Sequence, residues 1–400
     1  MIGYQEFARL SQSSDSDERG HAAHLAALAY LGFDGPADEH AALYAALVSF
    51  LDDPSVKVRA ALAYGLLHAE RAPRPILLAL MHDSGVIARA VLQYSPVLVD
   101  ADLVGMVHTA DVETLFAIAQ RDKISRRLAR ALIDRAEDGI SLGLLRRSDV
   151  EIDPDLLDTL ANRHGQDAAF RGALLARKDL GGHARLLLVK HATDALRGCR
   201  MVSGALAAER LNSILRDGND TAISAIGEGE VCRKAQGYVE QLVGAERLNT
   251  RLLLHAMVTG HVMFFAACVA ELAGVSQTKT YSILESGSRP ALRALFGRCG
   301  LSAALCGLFV RLIMHARSAD LADDVAARHF VVTALTEDLI AEYEGDIPTD
   351  LEEAFAYLGE QNIALARKAA RGVMAAFAET AVGVLSLPRQ EDERLHLPAA

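Results

Sequence analysis

Residues 40–70, HAALYAALVSFLDDPSVKVRAALAYGLLHAE, restrict what this chain can become more than any other stretch. Leu43, Leu47 and Leu51 recur at helical spacing. Asp52-Asp53-Pro54 then ends that helix and begins another, with Asp53 placed to cap orphan amides and Pro54 at the first helical position. The second helix carries Val58, Leu62 and Leu66 on one face and Ala61 with Gly65 on another. A helix apolar on two sides cannot bury both against its own hairpin partner. It needs neighbours before and after it, which is how stacked helical repeats close their cores.

Composition points the same way. Apolar residues are 51% of the chain at a mean hydropathy of +0.17, yet aromatics are 5% and Trp is absent, so Ala and Leu carry the core and favour closely packed helices. Cys199, Cys232, Cys268, Cys299 and Cys306 are odd in number and form no CxxC pair, which reads as reduced, buried thiols of a cytoplasmic protein. The first twenty residues lack the basic start and apolar run of a signal peptide. Leu252 to Val275 is the longest apolar stretch, but His255, Gly260, His261 and Glu271 interrupt it. It reads as two buried helices broken near Gly260 and not as a membrane span.

A second hairpin follows the first, from Pro73 to Met81 and from Val86 to Tyr94. Two internal echoes extend the pattern. Ser95-Pro-Val-Leu-Val-Asp-Ala-Asp-Leu103 returns as Ser148-Asp-Val-Glu-Ile-Asp-Pro-Asp-Leu156, and the run from Ala119 to Leu132 parallels that from Ala176 to Val189. The offsets of 53 and 57 residues fit two short hairpins per period, with Asp100 and Asp153 capping helix starts. The Asp-Pro junction followed by Val58-Arg59 resembles a HEAT repeat. PVLVDADL (96–103), the preceding IARAVLQYS (87–95) and the later LLLHAMVTGH (252–261) with Phe264-Phe265 resemble an alphaproteobacterial family catalogued as domain of unknown function 2336, over roughly residues 20–320. That resemblance implies a helical fold with HEAT-like repeats and no assigned catalytic residue; Val99 departs from it, standing where a Ser after PVL is expected.

The expected architecture is therefore all-α. A HEAT-like helical-repeat domain spans residues 1–192 and a connecting segment 193–238, where RDGNDTAISAIGEGE (216–230) supplies turns or a hinge. A second helical domain spans 239–387, ending in a long helix broken near Gly372, and a frayed tail spans 388–400.

Net charge is −11, with a basic island at 119–200 between acidic flanks. Overall acidity argues against a chain that coats nucleic acid or an anionic membrane. Within the island, Lys123, Arg126, Arg127 and Arg130 fall on one helical face, opposite Ile124, Leu128 and Leu132, and make a candidate docking patch for an acidic protein partner. The acidic segment 337–360, with no Lys or Arg from His329 to Ala366, can supply that partner from the same chain or from a second copy, making a homo-oligomer.

Three other constellations carry chemistry. Residues 269–284 resemble a bacterial helix-turn-helix, with Gln277, Thr278 and Lys279 as candidate DNA contacts, although Thr280 occupies a position usually apolar. Ser286, Ser288 and Arg289 at a helix start make a candidate anion site. His255, His261, Cys268 and Glu271 gather without metal-ligand spacing and read as buried, hydrogen-bonded side chains; no cofactor or catalytic motif is legible. The sequence thus favours a non-catalytic, cytoplasmic protein-binding scaffold. A DNA-binding regulator using 269–284 and an enzyme with a pocket between the two domains are the alternatives.

Overall fold

The computed structural model describes residues 4–235, 237–319 and 321–380, and among them it holds 23 helices and no strand. The chain divides into two compact units, residues 1–192 and 193–400.

The first unit begins with α1 (Tyr4–Ser11), α2 (Ser16–Gly32), α3 (Ala37–Leu51), α4 (Val56–Leu66), α5 (Arg74–Leu80) and α6 (Gly85–Tyr94). It continues with α7 (Asp100–Thr109), α8 (Val112–Ala119), α9 (Arg126–Asp134), α10 (Asp138–Leu145), α11 (Pro154–His164), α12 (Ala168–Ala176) and α13 (Gly182–Gly198), within which the division falls. As its two apolar faces require, α4 has neighbours on both sides, α2 and α3 before it and α5 and α6 after it. Val58, Leu62 and Leu66 are fully buried. Gly65 turns to α2, where a Cβ would stand 2.6 Å from the Ala27 methyl, and Gly20 of α2 lies beside Ala61. Small residues on both helices let their backbones approach closely. Contact between next-but-one helices recurs along the unit, with α6 on α8, α8 on α10 and α10 on α12 in one layer, and α3 on α5 and α7 on α9 in the other.

Helix starts differ in detail from expectation. α4 begins after Ser55, so Pro54 precedes the helix instead of opening it. Asp53 accepts the Ser55 N–H at 2.8 Å and a bidentate pair from Arg19 at 2.7 and 3.0 Å. Asp153 stands at the N-cap of α11 but caps nothing, because its carboxylate is held by Arg130 at 2.6 Å. Asp100 lies inside α7 and accepts the Ser125 hydroxyl at 2.5 Å.

The second unit contains α14 (Arg200–Ala205), α15 (Ala208–Cys232), α16 (Tyr238–Gly244), α17 (Thr250–Val258) and α18 (Val262–Ala273). After these come α19 (Gln277–Ser286), α20 (Arg289–Arg298), α21 (Ala303–Ala316), α22 (Val325–Tyr343) and α23 (Thr349–Thr380). Phe264, Phe265, Phe296, Phe309 and Tyr357 are fully buried there, and the rings of Phe265, Phe296 and Phe309 pack on one another. α17 and α18 part at Gly260 (φ +88°), as the sequence suggests. The expected hinge at 216–230 is instead the interior of α15, which packs on α16, α17 and α18. Tertiary contact overrides a weak local preference there. Gly227 faces the Phe264 ring so closely that a Cβ would stand 2.2 Å from it, and Glu228 accepts the Phe264 N–H at 2.7 Å, satisfying an amide at the start of α18. α23 runs unbroken through Gly372; residues 381–387 of the expected helix and the 388–400 tail lie outside the described residues.

Two glycines of α15 should therefore answer differently to the same change. Gly227→Ala is expected to destabilise the second unit by about 2 kcal/mol or more through overpacking. Gly218→Ala, which meets nothing within 4 Å, should be neutral or stabilising by up to about 1 kcal/mol. Urea denaturation midpoints check both.

Candidate functional site

Short helices end often, and each end leaves carbonyls without intrahelical partners. In the first unit arginines meet that need in series. Arg121, after α8, donates to Leu92 O and, at 2.7 Å, to Ser95 O at the end of α6. Arg147, after α10, reaches Ala119, Arg121 and Asp122 O at 3.1, 2.6 and 2.9 Å at the end of α8. Arg177, after α12, reaches Arg147 and Val150 O at 3.2 and 2.9 Å beyond α10. Arg135 does the same in the other layer, donating to Val107, His108 and Ala110 O at the end of α7. A planar guanidinium spreads five donors over three nitrogens and can span separated carbonyls, whereas the three donors of a lysine sit on a single nitrogen. Arg121 is buried, and desolvation pulls its pKa below the ordinary arginine value against the pull of Asp100 and Asp122.

The four residues of the candidate basic patch do not share one free face. α9 begins after its Ser125 cap, so Lys123 stands in the preceding turn and not on the helix. Arg126 pairs with Glu151 at 2.8 Å, and Arg130 with Asp153 at 2.6 Å and Asp155 at 2.9 Å. Those carboxylates raise the Arg130 pKa through hydrogen bonds and charge, Asp155 most strongly, and join α9 to α11. Lys123 and Arg127 are exposed. In the acidic segment, Asp338 bonds His315 at 2.8 Å and Glu342 pairs with Arg311, all within the second unit.

A short turn joins the two helices of the segment that resembles a helix-turn-helix. α18 ends at Gly274 (φ +60°) and leads into α19, whose Gln277, Thr278 and Lys279 are exposed while Thr280 is fully buried. The threonine that departs from an apolar pattern therefore still fills the packing position. At the candidate anion site, Ser286 donates to Ser282 O at 3.0 Å, and Ser288 caps α20 by accepting the Ala291 N–H at 3.4 Å. Arg289 is exposed.

The densest polar cluster lies elsewhere, between α15, α17 and α23. Arg251 pairs with Asp217 and, at 3.2 Å, with Asp220, while its guanidinium stands 4.6 Å above the Tyr357 ring. His255 is bonded on both ring nitrogens, Nδ1 to the Tyr357 hydroxyl at 2.8 Å and Nε2 to the Thr221 hydroxyl at 3.1 Å. Burial pushes the Asp220 carboxyl up despite Arg251, and pushes His255 down to about 4. Beside Arg251 lies a small cleft of about 60 Å³, lined by Thr250, Leu305, Asp350, Glu353 and Ala354. His261 bonds Thr259 at 2.8 Å and the Cys268 thiol is buried and pushed up by desolvation. No group of three His, Cys, Asp or Glu suited to a metal occurs among the described residues. Sequence reasoning passed over Asp217, Asp220, Thr221, Arg251 and Tyr357. Their spacing was a signal: Asp217, Asp220 and Thr221 fall on one face of a helix, and Arg251 and His255 on one face of another.

The profile of a bacterial family described as an uncharacterised protein conserved in bacteria, domain of unknown function 2336, matches residues 87–339, and the chain belongs to that family. No curated protein and no solved structure matches it.

The His255 cluster gives a pH test. The folded-state pKa of about 4 lies below the ordinary histidine value of 6.5. The unfolded chain then takes up this proton first as pH falls, so the contribution of neutral His255 is whole above pH 6.5 and is lost progressively toward pH 4. Between those limits the native chain should lose about 3 kcal/mol more than His255→Gln. Urea denaturation at a series of pH values reads the difference, and parallel curves would refute it.

Proposed function

We propose that this family member is a non-catalytic protein-binding scaffold of the cytoplasm, built on a HEAT-like solenoid in its first unit. One observation carries the reading. Successive helices of one layer each expose an aromatic ring: Tyr64 on α4 (70% exposed), Tyr94 on α6 (49%) and Phe116 on α8 (40%). Two of these rings lie against a histidine from the preceding part of the layer, Tyr64 on His24 and Tyr94 on His68, at centroid distances of 5.6 and 5.3 Å. Past Phe116 an open groove of about 390 Å³ continues between α8 and α10, floored by Gly139, Ile140 and Gly143 and closed by Arg147. Single exposed apolar residues are ordinary, but rings repeated on adjacent helices form a surface of the composition that protein interfaces favour. Among the described residues no helix is long and apolar enough to cross a membrane.

DNA binding by α18 and α19 is the second reading, favoured by the exposed Gln277, Thr278 and Lys279 after the Gly274 turn. Binding to duplex DNA that weakens steeply with salt and is lost in Lys279→Glu would promote it over the first.

The triple variant Tyr64→Ser, Tyr94→Ser, Phe116→Ser tests the scaffold reading. It should keep native helicity and lose ~10-fold or more of the proteins co-purified quantitatively with the wild type, since buried aromatic anchors dominate interface energetics. An unchanged set of co-purified proteins would remove the reading.

A further inference from the structure

α23 outlasts the unit it packs on. Leu351, Ala354, Tyr357, Leu358 and Leu365 line its inner face, buried where the helix meets α17, α21 and α22. Leu365 is the last buried residue among those whose burial is described, yet the helix continues to Thr380, roughly 20 Å further. On the outer face Ala356, Gly359, Ile363, Ala366, Ala370 and Val373 alternate at spacings of three and four residues. Ile363 is 58% exposed and Val373 53%. The period is that of a helix–helix seam, and the small residues between Ile363 and Val373 let a second helix approach closely.

Charge selects the occupant. α23 is acidic in its first half (Asp350, Glu352, Glu353, Glu360) and net basic in its second, where Arg367, Lys368 and Arg371 outnumber Glu379. Glu353, Glu360 and Arg367 recur every seven residues along one flank of the seam, and all three are exposed. A parallel pair of these helices would set acidic half on acidic half. An antiparallel pair sets each acidic half on a basic one. We infer that the outer face of α23 docks antiparallel on α23 of a second copy of this chain. With Ile363 opposite Ala366 of the second copy, Val373 meets Ala356 and Ala370 meets Gly359, so bulky side chains face small ones. Glu360 then lies beside Arg367 of the second copy, twice over by the two-fold symmetry of such a contact.

Sedimentation of the full chain across a concentration series tests this. The wild type should dimerise, and Ile363→Asp should weaken self-association at least ~100-fold by burying a charge in the seam. Glu360→Arg alone and Arg367→Glu alone, both at exposed positions and checked for native helicity, should each weaken it by like-charge contact. An equimolar mixture of those two variants should associate as tightly as the wild type, because every pair is then of opposite sign. A wild type that stays monomeric, an Ile363→Asp variant that associates like the wild type, or a mixture no tighter than either variant alone would overturn the inference.

Discussion

Guanidinium groups laid across the carbonyl ends of neighbouring helices hold the first unit together. Its helices from α5 to α10 are short, so a large share of their backbone acceptors would otherwise be buried without donors. Arg121, Arg147 and Arg177 each answer the carbonyls left two helices earlier in the same layer, and each leaves its own terminal carbonyl region for the next in line. The hydrophobic contacts between α6, α8, α10 and α12 supply most of the burial, but they do not fix the angle at which one helix end meets the next. The arginine forks do. A unit built this way spends most of its positive charge internally, which leaves the exposed aromatic rings of α4, α6 and α8 as its distinctive outer feature.

The second unit solves a different problem. Asp217, Asp220, Arg251, His255, Tyr357 and Thr221 are brought together from three helices distant in sequence, and each finds a partner within the group. Such a cluster adds little net stability, since desolvation offsets much of the gain, but it is unforgiving of misalignment. It ties the first third of α23 to α17, so the rest of α23 is presented at a fixed orientation to whatever lies along its outer face.

Much of this fold was legible before any coordinates. The two apolar faces of α4 demanded neighbours on both sides, and the interruption at Gly260 separated α17 from α18. The helix between Ala208 and Cys232 was not legible, because its glycines and carboxylates resemble a loop until Phe264 and Arg251 are known to stand against them. For the candidate sites the failure had a similar cause. Charge runs are visible in a sequence, but whether Arg130 faces solvent or Asp153 depends on where the next hairpin places its carboxylates. The arginine series left only a faint trace: the echo between Ala119-Gln-Arg-Asp and Ala176-Arg-Lys-Asp marks both turns, but it sets Arg121 against Lys178, one residue out of register with Arg177.

These arginines act by spanning carbonyls and not by charge alone. Hydrogen–deuterium exchange on Arg177→Lys tests it directly, because lysine keeps the charge and cannot fork across Arg147 O and Val150 O. Faster amide exchange is expected at the end of α10 and in the turn that follows it, with the second unit unchanged. Exchange indistinguishable from the wild type in that region would contradict it.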